Sequence, residues 1–197
     1  MGAKILANLR MVTLSNKKND TNIITQPIFI GPTRLKFDKS MELIIRLDNR
    51  QQLDYSSIYK YDLDDDEWHY ISSLINNKEI SLMANIDSGG IYAVIQEKNP
   101  PILTDIYPGN DASYYQNDFK EIKFKLNDNQ SGIKDETSIR LQIDDTKPLI
   151  FEYNTYRDEV VYKLDQKISK GDHIIKIDVV DNVGNRTYRE NQFHIKE

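Results

Sequence analysis

The stretch GDHIIKIDVVDNVGN, Gly171 to Asn185, decides the fold. His173, Ile175, Ile177 and Val179 fall on one face at a period of two, which is the mark of a β-strand. Asp181 is next in phase, so its carboxylate starts out toward the interior at the strand's end. A buried carboxylate is costly unless it accepts hydrogen bonds. The backbone N–H groups of an Asn-Val-Gly-Asn turn are suitable donors, and Gly184 is free to take the positive φ such a turn requires. Asp128, followed by Asn129-Gln130-Ser131-Gly132, fits the same description. The expectation is that each carboxylate pins its own loop. Calcium held by Asp128, Asp181 or their neighbours is the open alternative, although calcium takes six to eight oxygens and only some are visible here.

The same period runs through most of the chain. Met41, Leu43, Ile45 and Leu47 share one face, as do Ile80, Leu82, Ala84 and Ile86. Ile122, Phe124 and Leu126 alternate, then Ile139, Leu141 and Ile143, and finally Phe193 and Ile195. No segment keeps a helical apolar stripe for three turns. The reading is an all-β protein. Pro100 and Pro101 cannot donate to a ladder and favour an extended connector. Each flank carries several short strands separated by turns rich in Gly, Asn and Asp, which predicts two tandem β-sandwich domains, residues 1–98 and 99–197.

Composition narrows the function classes. The 197 residues are 39% hydrophobic and 29% charged, with a net charge of −5. The mean hydropathy is −0.63. No apolar run approaches the ~18 residues that span a bilayer. The N-terminal MGAKILANLRMVTL lacks the n-region and continuous h-region of a signal peptide. There is no cysteine, which removes disulfides, thiolate nucleophiles and cysteine zinc sites together. A pI near 5.3 and scattered Lys and Arg argue against a nucleic-acid partner.

Several motifs of the second half occur in a recognisable order. NPPILTDIYPGN opens it, then come IKFKLNDNQSGI, IRLQIDD, KGDHIIKIDVVDNVGN and FHIK. Over residues 99–197 this resembles the bacterial immunoglobulin-like domain with signatures Asp-x-x-Ser-Gly-Ile and Asp-x-x-Gly-Asn. The first half, with IFIGPTRLKFDKSMELIIRL, SIYKYDLDDDEWHYISS and GGIYAVIQ, resembles a small, loosely ZU5-like β-sandwich. Together the pair is similar to the C-terminal region of large exported bacterial proteins, some with a lysostaphin-type zinc peptidase domain upstream. That peptidase's metal site needs a His-x-x-x-Asp and a His-x-His segment. The three histidines, His69, His173 and His194, form neither. The resemblance therefore implies an accessory role in an exported protein, whether periplasmic, outer-surface or secreted.

Other candidate sites have ordinary readings beside the chemical ones. Asp62, Asp64 and Asp66, with Asp65 and Glu67, alternate like a calcium loop, but the central Gly and terminal Glu of an EF-hand are missing. A solvated hairpin tip is the simpler reading. Tyr59, Tyr61, Trp68 and Tyr70 fall on neighbouring strands, where cross-strand aromatic pairs stabilise a sheet and where a carbohydrate could also stack. No carboxylate pair is marked for glycosidase work. A Ser–His–Asp arrangement is compatible with composition, yet no Gly-x-Ser-x-Gly elbow is present. His173 reads as a packed strand residue rather than a ligand.

The expected role is a non-catalytic spacer or accessory module with no cofactor, with calcium left open. Its expected partners are neighbouring domains of a larger chain. A cell-wall glycan or another surface protein stands as the alternative partner.

Overall fold

A computed structural model of the chain describes residues 10–11, 22–33, 35–144 and 146–197. The stretch read against a signal peptide lies outside the described residues, apart from Arg10 and Met11. Strands dominate, and two single-turn 3-10 helices, Arg50–Gln52 and Glu136–Ser138, are the only helical elements among the described residues. Contacts divide the chain between Lys98 and Asn99 into two compact units. Both are β-sandwiches, as the period of two predicts.

In the first unit, one sheet runs β1 (Arg10–Met11), β2 (Ile28–Ile30), β8 (Gly90–Gln96), β4 (Ser56–Asp62) and β5 (Glu67–Ile71). The other runs β3 (Lys36–Arg46), β7 (Ser81–Ser88) and β6 (Leu74–Asn76). Alternation puts Ile45, Leu82, Ala84 and Ile86 from the smaller sheet against Ile30, Ile58, Tyr92 and Val94 from the larger. Burying an aliphatic side chain of this size contributes about 1.5–3 kcal/mol, and these contacts hold the sheets together. Strands β4 and β5 form a hairpin whose register places Tyr59 opposite Tyr70, Tyr61 opposite Trp68 and Asp62 opposite Glu67. Gly89, between β7 and β8, is required by space: a Cβ there would stand 2.0 Å from the Pro32 carbonyl oxygen and 2.8 Å from that of Ile30.

The second unit has two four-stranded sheets. One is β9 (Ile102–Tyr107), β11 (Glu121–Asn127), β14 (Glu159–Lys163) and β13 (Glu152–Asn154). The other is β10 (Ala112–Tyr115), β16 (Arg186–Lys196), β15 (Gly171–Val180) and β12 (Ile139–Ile143). Lettered in chain order, these are A-B-E-D and A′-G-F-C, the immunoglobulin arrangement. Strands β10 and β16 pair in parallel, and the other pairs are antiparallel. The core takes Ile122, Phe124 and Leu126 from β11, Leu141 from β12, Val160 from β14, Ile175, Ile177 and Val179 from β15, and Phe193 and Ile195 from β16. Edge strand β9 carries a bulge. Its residues Asp105 and Ile106 fit where the register shifts between Lys123 and Lys125 of β11, and Asp105 takes φ 51°.

Candidate functional site

Strand β15 delivers Asp181 to the end of the sandwich, where the side chain is only 5% exposed. One carboxylate oxygen, Oδ1, accepts from the backbone N–H groups of Val183 at 2.9 Å, Gly184 at 2.7 Å and Asn185 at 2.8 Å. The second oxygen accepts from Asn185 Nδ2 at 2.8 Å. Gly184 holds φ +99°, which lets the turn close beneath the carboxylate. Asp128 does the same one loop away: its Oδ1 accepts from Gln130 N–H at 3.0 Å and Gly132 N–H at 2.8 Å. Gly132 holds φ +77°.

Asn182 joins the two loops. Its backbone N–H donates to the Gly132 carbonyl at 3.0 Å. Its Nδ2 donates to the carbonyls of Ser131 at 2.9 Å and Gly132 at 3.0 Å. A carboxylate oxygen of Asp128 comes within 4.8 Å of one of Asp181. The Asp181 carboxyl titrates above its ordinary range: burial is the largest cause and the Asp128 charge adds to it, while the hydrogen bonds from Asn185 and Val183 oppose the rise.

At the β4–β5 hairpin of the first unit, the grouping differs from the alternate-position reading. A carboxylate oxygen of Asp62, one of Asp65 and a ring nitrogen of His69 lie within 4.8 Å of one another, a set able to hold a metal ion. His69 Nε2 stands 3.9 Å from Asp65 Oδ2. Asp64 and Asp66 fall outside this group. Asp64 closes an Asx turn, its N–H donating to Asp62 Oδ1 at 2.7 Å. Asp66 accepts a short hydrogen bond from the Tyr61 hydroxyl, and this is the main cause that raises the Tyr61 pKa. Sequence reasoning passed over His69 here, and the Asp-x-x-x-His spacing from Asp65 was the signal available.

The four aromatic candidates occupy the one sheet face that the register predicts. Tyr61 and Trp68 are tilted with ring centroids 5.1 Å apart, and Tyr59 meets Tyr70 edge-on at 5.8 Å. Tyr59 is fully buried, while Tyr61, Trp68 and Tyr70 are half-buried.

Two histidine–aspartate pairs lie at the start of β15. His173, 7% exposed, has Nδ1 2.9 Å from Asp144 Oδ2 and Nε2 2.9 Å from the Ser169 carbonyl oxygen. Ser169 Oγ is farther away, at 3.5 Å. The ring also lies 5.5 Å from Phe193, so it serves as a packed strand residue, and Asp144 and Ser169 anchor it. His194 Nδ1 meets Asp172 Oδ1 at 2.6 Å across the β15–β16 ladder.

No protein-family model matches the chain, and no curated protein matches it. Among solved structures, the crystal structure of CopC from Methylosinus trichosporium OB3b matches at 15% identity and a TM-score of 0.39, covering 49% of this chain and 93% of that one. A likeness of that size carries no argument about what this chain binds or does.

Proposed function

We propose that the chain is a non-catalytic structural and interaction module of an exported bacterial protein, a pair of β-sandwiches that presents or positions neighbouring domains. The observation that supports this most directly is the use made of Asp181. Four hydrogen bonds from residues 183–185 converge on its carboxylate, and they serve to close the end of the sandwich. A catalytic carboxylate would instead hold capacity open toward a cleft.

A calcium-stabilised adhesin-like domain is the second reading. It is favoured by the approach of Asp128 to Asp181 within 4.8 Å, because two carboxylates at that separation gain from a shared cation. Thermal unfolding in excess calcium and in excess chelator separates the two. An unchanged Tm fits the structural module. A rise of several degrees with calcium would overturn it in favour of the second reading, since a ligand that binds only the native state raises Tm by mass action.

A further inference from the structure

We draw no further inference here: the strongest candidate, the cluster of Asp62, Asp65 and His69 on the exposed β4–β5 hairpin, carries nothing because one Asp62 oxygen is already taken by the Asp64 N–H and no second observation among the described residues points to a bound ion there.

Discussion

Asp181 and Asn185 close their loop twice over: the carboxylate takes the Asn185 backbone N–H on one oxygen and its side-chain Nδ2 on the other, each at 2.8 Å. The backbone also returns, with Asp181 N–H donating to the Asn185 carbonyl at 3.0 Å. The end of strand β15 and the start of β16 are thereby fixed at one point.

Removing the carboxylate should therefore cost more than neutralising it. Asp181→Ala removes the side-chain acceptor of three backbone donors. Of these, the Asn185 N–H is buried, and those of Val183 and Gly184 are nearer solvent. A buried donor left unpaired costs about 1–3 kcal/mol, and an exposed one costs less. The expected loss is about 2 kcal/mol or more by urea unfolding. Asp181→Asn keeps an acceptor for the three N–H groups and forfeits only the Asn185 side-chain bond, so it should lose less than half as much. Equal losses would contradict the division of labour between the two oxygens.

The pH dependence of that site has a definite sign. The Asp181 pKa is raised in the fold, chiefly by burial, so the native state holds the proton more tightly than the unfolded chain does. The stability difference between the parent and Asp181→Asn should be most favourable to the parent below the ordinary aspartate value. It should then decline as pH rises toward the folded pKa. Asp135 should behave oppositely. Bonds from the Thr137 side chain and backbone lower its pKa, so its contribution is present above the ordinary value and is lost as pH falls through the folded one. Unfolding curves of Asp181→Asn and Asp135→Asn between acid and neutral pH would show slopes of opposite sign.

Asn182→Ala cuts the side-chain link between the two acidic loops while leaving both Asx turns in place. A loss of about 1–2 kcal/mol is expected for its hydrogen bonds. Amide exchange should quicken at Gln130 and Gly132 while the central amides of β15 stay protected. Uniform acceleration across the whole unit would point to global destabilisation instead.

In the first unit, Gly89→Ala and Gly90→Ala should differ sharply despite being neighbours. The added methyl at Gly89 meets two backbone carbonyls, while at Gly90 it meets Lys60 Cε at 2.7 Å, the far end of a flexible side chain. Overpacking against fixed backbone costs about 1–3 kcal/mol or more. Gly90→Ala should cost a fraction of that, and a comparison of melting temperatures decides it.

The strands were legible because one buried face imposes a period of two. That is why Leu82, Ala84 and Ile86, or Ile175, Ile177 and Val179, could be assigned to the core from spacing alone. Asp181 was legible for the same reason, since the phase that buried Val179 also carried Asp181 inward. The partnerships between strands were not legible. Asp144 with His173 and Asp172 with His194 are separated by 29 and 22 residues, and only the ladder register brings them together. Nothing along one strand encodes its offset against the next. His69, by contrast, stands four residues from Asp65 within one hairpin and was open to a local reading, while the full burial of Tyr59 depends on what packs over it rather than on its alternation.

The extra residue in β9 has a consequence for the molecule's behaviour at high concentration. An edge strand offers unpaired donors and acceptors to any passing chain, and a regular one is a template for cross-chain polymerisation. With Asp105 turned to φ 51°, the outward N–H and C=O groups of β9 fall out of step with the repeat of an incoming strand, and a charged side chain sits at the break. The open side of this sheet is thereby blunted against fibril growth.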